Sequence, residues 1–191
     1  MRIVLITGAS SGMGAELAKQ LDKEVSGVDE FWLVARRKER LEEVAAELTH
    51  PSRIFRADVT GEAFYESLET KLKEANADVK ILVNNAGHGI VGHVADRSRS
   101  ELTGMVDLNC KAATAIVSVC LPFMKRKARI IQLASSAAYL PQANFAVYAA
   151  TKSYMLSFSR ALAEELRPRE IYVTAVCPGP VATEFFKLAE Q

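Results

Sequence analysis

Tyr148 and Lys152 stand four residues apart in the run Tyr148-Ala149-Ala150-Thr151-Lys152. On a helix that spacing puts both side chains on one face, within reach of each other. A free phenol titrates near pH ~10, too high to trade protons at neutral pH. A positive charge about 4 Å away, at an effective dielectric of about 20, is worth roughly 4 kcal/mol. The spacing therefore predicts a tyrosine whose pKa the lysine pulls down toward neutrality, fit to give and take a proton. A Tyr and a Lys can also share a solvated helix face and do nothing, so the meaning of the pair depends on what surrounds it.

A second chemical feature lies near the start of the chain. Thr7-Gly8-Ala9-Ser10-Ser11-Gly12-Met13-Gly14 follows a short apolar run and opens a helical pattern. Glycines at 8, 12 and 14 allow a tight turn and a close approach of backbone to ligand. The helix start adds free N–H groups and a partial positive charge, which suit a pyrophosphate. This strand, turn and helix context is what a dinucleotide site needs. At the end of the next expected strand, where an acidic residue would meet an unphosphorylated ribose, the chain has Arg36 and Arg37. Two arginines suit bidentate contact with a 2′-phosphate. They favour NADP(H) over NAD(H), although a solvated helix entry would also place arginines there.

These features need a scaffold, and apolar periodicity supplies one. Strands are expected over 2–7, 31–35, 53–57, 79–83, 129–134 and 171–176. Helices are expected over 12–21, 38–48, 64–75, 101–124 and 145–166. Near-continuous apolar strands alternating with helices imply an α/β fold, a doubly wound parallel sheet of the Rossmann type. The polar and glycine-rich clusters fall at the strands' carboxyl ends, where such sheets bind ligands. With 191 residues, 49% hydrophobic and 25% charged, residues 1–191 are read as one soluble domain. Lys plus Arg is 24 and Asp plus Glu is 23, a balance that speaks against a nucleic-acid or membrane partner. Cys110, Cys120 and Cys177 are too far apart for a disulfide framework or a zinc site and read as buried thiols. No metal-ligating cluster is visible. The apolar run at 3–6 is too short for a leader or a membrane span, so the expected compartment is the cytoplasm.

Taken in order, the motifs resemble those of the short-chain dehydrogenase/reductase family. They are the glycine turn, Asp58-Val59, Asn84-Asn85-Ala86-Gly87, Asn109, Ser135-Ser136, Tyr148-x-x-x-Lys152 and Pro178-Gly179-Pro180-Val181-Ala182-Thr183. The resemblance covers essentially the whole chain. It implies an oxidoreductase acting on a carbonyl/secondary alcohol pair, with Asn109, Ser135, Tyr148 and Lys152 as catalytic residues. Tyr148 would be the general acid/base, Lys152 would also meet the nicotinamide ribose, and Asn109 would order a water. Ser135 is preferred to Ser136 because it stands thirteen residues before Tyr148, the family's spacing.

For the cofactor, the resemblance implies contacts from Gly8, Ser10, Ser11, Gly12, Met13 and Gly14, and from Arg36 and Arg37. Asp58 and Val59 would meet the adenine, with Asp58 also readable as a turn or cap residue. Asn85, Ala86 and Gly87 would line the adenosine ribose. Pro178, Gly179, Val181 and Thr183 would meet the nicotinamide end. A largely apolar set near 88–91, 137–145 and 181–188 suggests a neutral, hydrophobic small-molecule substrate, with His88 and His93 near its mouth. The family further implies a homodimer or homotetramer. Because the chain ends soon after the Pro-Gly segment, it is expected to lack the family's usual last strand and to leave the sixth as an exposed edge. Two other readings stay open: an NADP-binding sensor without chemistry, and an inactive piece of an enzyme.

Overall fold

The structure is a computed structural model that describes residues 1–181. β1 (Arg2–Thr7) has five consecutive buried residues after Arg2, and β2 (Glu30–Ala35) has five after Glu30. Strands with no solvated face need helices on both sides. On one side these are α1 (Gly12–Glu24), between β1 and β2, and α2 (Lys38–Ala46), between β2 and β3 (Ser52–Arg56). α3 (Glu62–Glu74) then leads into β4 (Asp78–Asn84). Alternate strand residues feed two cores. Val4, Ile6, Phe31 and Leu33 pack with Ala18, Leu41 and Val44 of α1 and α2. Ile3, Leu5, Trp32 and Val34 pack on the opposite face with Leu68 and Leu72 of α3.

Between β4 and β5 (Arg129–Leu133) the sequence predicts one long helix, and here the structure differs. α4 (Arg99–Val106) opens on a capping box in which Glu101 N donates to Ser98 Oγ (3.2 Å) and Ser98 N donates to Glu101 Oε2 (2.8 Å). The helix then widens into a π-helical segment, Asp107–Ala112, before α5 (Ala113–Cys120) and a short 3-10 turn. Asn109 lies inside the wide segment. Its Oδ1 accepts from His88 N (3.0 Å), and its Nδ2 donates to His88 O (2.8 Å) and Thr151 Oγ1 (3.0 Å). The wider turn carries this side chain to its partners, and such insertions are frequent at functional sites. The stretch Arg99–Phe123 is long and apolar enough to cross a membrane by composition. Its apolar face is used within the fold, where Met105, Ile116, Val117 and Cys120 are buried.

α6 (Ala146–Leu166) and β6 (Tyr172–Val176) complete the described elements. The strand order is β3-β2-β1-β4-β5-β6, and every pairing is parallel. The order reverses between β1 and β4, and that switch opens a crevice at the strands' carboxyl ends. Among the described residues the sheet ends at β6, whose exposure alternates and leaves Tyr172 and Val176 open. Thr183 and the rest of the expected pocket wall beyond 181 lie outside the described residues.

Candidate active site

A cleft of about 950 Å³ runs along those carboxyl ends. At one end it is shaped by the glycine turn. Gly8 (φ 66°) and Gly12 (φ 54°) hold left-handed backbone that favours glycine. Gly14 is required by space instead. A Cβ there would stand 2.2 Å from Gly8 O and 2.4 Å from Asn85 Nδ2. That amide ties the turn to β4 by donating to Thr7 O (3.1 Å) and Gly8 O (3.0 Å). Thr7 Oγ1 in turn accepts from Asn85 N and Ala86 N, both at 3.1 Å. Gly8, Ser10, Ser11, Gly12 and Met13 line the cleft; Gly14 acts behind it, letting α1 pack against the turn.

Arg36 and Arg37 stand at the same end, both exposed and both lining the cleft. Arg37 Nη2 donates to Ser11 Oγ (2.7 Å) and Ser10 Oγ (3.4 Å). Ser11, expected as a cofactor contact, also anchors the guanidinium at the mouth of the turn. Asp58 proves to be a turn residue as well as a lining one: Oδ1 accepts from Thr60 Oγ1 (2.7 Å) and Thr60 N (3.0 Å). Those bonds, with some help from the charge of Arg36, hold its carboxyl below the usual range. Val59, Asn85, Ala86 and Gly87 line the wall beyond it.

The far end gathers Ser135, Tyr148 and Lys152, with Pro178, Gly179 and Val181 across from them. Ser135 begins a 3-10 turn after β5. Its Oγ accepts from Ala137 N (3.2 Å), and its side chain lies near enough to the Tyr148 phenol to favour the ionised form. Ser136 is exposed, and its N–H is spent on Pro178 O (2.9 Å). Tyr148 and Lys152 lie on one face of α6, both buried. Asn109 does not reach the cleft wall among the described residues. It stands behind Gly87, where a Cβ would meet its Oδ1 at 3.0 Å and Lys152 Nζ at 3.5 Å.

The electrostatics overturn the expected direction at the tyrosine. Burial pushes the Tyr148 phenol above its usual value, and the Ser135 hydrogen bond opposes this without cancelling it. Lys152 does not offset the burial. Nζ donates to Leu133 O (2.7 Å) and sits over the Tyr148 ring, 5.6 Å from its centroid. Burial brings the lysine itself down to about 8, against a smaller upward pull from Cys110 and Cys177. In this state the phenol is a proton holder and the lysine a weakly held cation.

Several lining residues were not foreseen. Gly104, Asp107 and Leu108 enter from α4 and the π-helical segment, which periodicity read as an uninterrupted core helix. The sole hint in the sequence was a polar Asn109 in an apolar pattern. His88 lines the cleft and is held below its usual pKa by burial and then by Arg36, whereas His93 is exposed and lies off the cleft wall.

Comparison with known proteins is consistent with this geometry. Residues 2–191 match the family model described as short chain dehydrogenase. An uncharacterised oxidoreductase of Staphylococcus epidermidis is 30% identical over 184 residues, covering 95% of this chain and 79% of that protein. A short-chain dehydrogenase from Sphingobium yanoikuyae, solved with NADPH, superposes with a TM-score of 0.88 at 33% identity, over 99% of this chain and 75% of that one. The 3-ketoacyl-(acyl-carrier-protein) reductase from Brucella melitensis, solved with NADH, gives 0.86 at 31% identity, over 97% of this chain and 78% of that one.

Proposed function

The chain belongs to the short-chain dehydrogenase/reductase family of oxidoreductases, and we propose that it interconverts a carbonyl compound and a secondary alcohol with NADP(H), using Tyr148 as general acid/base. The observation that carries this reading is the meeting of Ser135, Tyr148 and Lys152 at one end of a cleft whose other end holds the glycine turn and two arginines. The cleft fits the cofactor in shape: at Gly8 and Gly14 a Cβ would collide with Asn85 or the turn itself, so these positions stay bare.

When bound, the nicotinamide would supply or accept the hydride. The remaining work falls to the chain. Gly8, Ser10, Ser11, Gly12 and Met13 would seat the pyrophosphate at the start of α1, with Gly14 keeping the turn closed. Arg36 and Arg37 would take the 2′-phosphate, the latter already steered by Ser11. Asp58 and Val59 would meet the adenine, and Asn85, Ala86 and Gly87 the adenosine ribose. Pro178, Gly179, Val181 and Thr183 would bound the nicotinamide end. The Ser135 hydroxyl, which lines the cleft with the phenol, would hold the substrate oxygen beside it.

Tyr148, kept protonated by its burial, has the proton that carbonyl reduction requires. For the reverse reaction the phenol must first lose that proton. Lys152, released from Leu133 O to a ribose hydroxyl, would stabilise the phenolate. Asn109, hydrogen-bonded to His88 and Thr151, would keep this wall in place. The walls near Tyr148 include Val91, Leu108, Ala137, Phe145 and Val181, which suits a neutral, apolar small-molecule substrate. The same reading makes the protein a cytoplasmic homodimer or homotetramer. Calorimetric titration of the purified chain with NADPH and with NADH tests the cofactor assignment. Tighter NADPH binding is expected; preference for NADH would remove the 2′-phosphate role from Arg36 and Arg37.

A further inference from the structure

We propose that Phe145 and Gly89 are positioning residues that hold the Tyr148 ring in a fixed slot and so govern the proton step; the inference rests on the reading of Tyr148 given above. The Phe145 ring stacks on that of Tyr148, with centroids 4.2 Å apart and planes inclined by 21°. Gly89 touches both rings. A Cβ there would stand 2.8 Å from Phe145 Cζ and 2.8 Å from Tyr148 Cδ2. The backbone at Gly89 is not left-handed, so its conformation alone does not call for glycine. The space does, because only a hydrogen fits between this backbone and the stacked pair.

Both sides of the slot are anchored. Asn109 grips the backbone of His88 through its N–H and its carbonyl. The Arg97 side chain donates from Nε to Val91 O (3.1 Å), and Gly92 N donates to Asn144 O (2.7 Å). Segment 88–92 is thus fixed at both ends and tied to the loop that precedes α6. Phe145 starts α6 itself, its carbonyl accepting from Ala149 N (2.9 Å). The stack and the Gly89 backbone together block any tilt of the tyrosine that would carry its oxygen away from Ser135. Misplacement of a reacting group by about 1 Å can cost about 10²-fold in rate. Phe145 also covers one face of the phenol ring, and both residues line the cleft.

The test uses Gly89→Ala and Phe145→Ala in the full chain. Both are expected to lower kcat by about 10²-fold, with NADPH affinity in calorimetric titration close to native. A packing role alone would lower the melting temperature and leave kcat per folded molecule and its pH profile in place. A second readout needs no turnover: the Tyr148 phenol is titrated by carbon NMR in tyrosine-labelled protein and assigned by its loss in Tyr148→Phe. Its midpoint should move down in Phe145→Ala, because water then reaches the oxygen. An unmoved midpoint, or native kcat in Gly89→Ala and Phe145→Ala, would each overturn the slot. A native chain with no reductase activity would instead overturn the reading of function, and the phenol titration would still decide the slot.

Discussion

At the glycine turn the cleft is shaped by side chains that are missing, whereas around Tyr148 it is shaped by side chains that are buried. The turn end offers bare backbone, a helix start and two solvated arginines, with Arg37 resting on Ser11. The catalytic end hides a phenol and an ammonium, at 7% and 6% exposure, where burial moves both pKa values against the charged form. Binding a large anion calls for shape and screened charge, which solvent tolerates. Moving a proton calls for groups whose protonation the protein sets, and desolvation is how this fold sets them.

If that contrast holds, the turn end should fail through geometry. Gly14→Ala brings a Cβ to 2.2 Å from Gly8 O. The expected outcome is loss of measurable heat in titration with either cofactor, with a destabilisation of about 1–3 kcal/mol from overpacking by thermal melting. Retained binding would mean that the turn can relax and that shape is not its working principle. A smaller effect sharpens the charge half of the same end. Replacing Arg36 and Arg37 together by Ala should weaken NADPH binding by about 10- to 100-fold, as expected for loss of charge-assisted hydrogen bonds. NADH binding should stay close to native, since these side chains have no other assigned partner on the cofactor.

The lysine gives the smallest and most diagnostic change. Its folded pKa of about 8 lies below the 10.5 of the free side chain. Between these values the unfolded chain binds more protons, so stability rises with pH across that window. Tyr148, the half-buried thiol of Cys110 and the buried thiol of Cys120 shift upward and act the opposite way at high pH, so the useful quantity is a difference; of the three thiols expected to be buried, Cys120 alone is, and Cys110 and Cys177 are half-buried. Relative to Lys152→Met, the native chain should gain about 2 kcal/mol between pH 7 and pH 10, read by denaturant unfolding without cofactor. A flat difference would mean that Lys152 is solvated and that burial does not set its charge.

The same contrast explains what could be read from the sequence. β1 falls at Arg2–Thr7 as the apolar run predicts, and the other strands lie within a residue or two of expectation. Buried parallel strands and glycine turns are local patterns with local causes. The chemistry around Tyr148 is not local. Its pKa was expected to fall because helix spacing brings Lys152 near, but spacing cannot show that Nζ turns to Leu133 O. The stack of Phe145 on Tyr148 is local, but the bare wall at Gly89 that it meets comes from a segment far away in the chain. The π-helical segment at Asp107–Ala112 was missed because apolar periodicity does not record hydrogen-bond register. Asn109 drew attention through the family's motifs, but its partners His88 and Thr151 appear only in three dimensions.

The central claim is that Tyr148 passes the proton while the rest of the cleft binds. It is tested most directly by NADPH-dependent reduction of a panel of apolar ketones by the native chain and by Tyr148→Phe, with cofactor affinity measured on both. Loss of turnover by about 10²- to 10⁴-fold, with NADPH affinity unchanged, is the result this account predicts. Turnover by Tyr148→Phe at the native rate would contradict it, whatever the cofactor affinities.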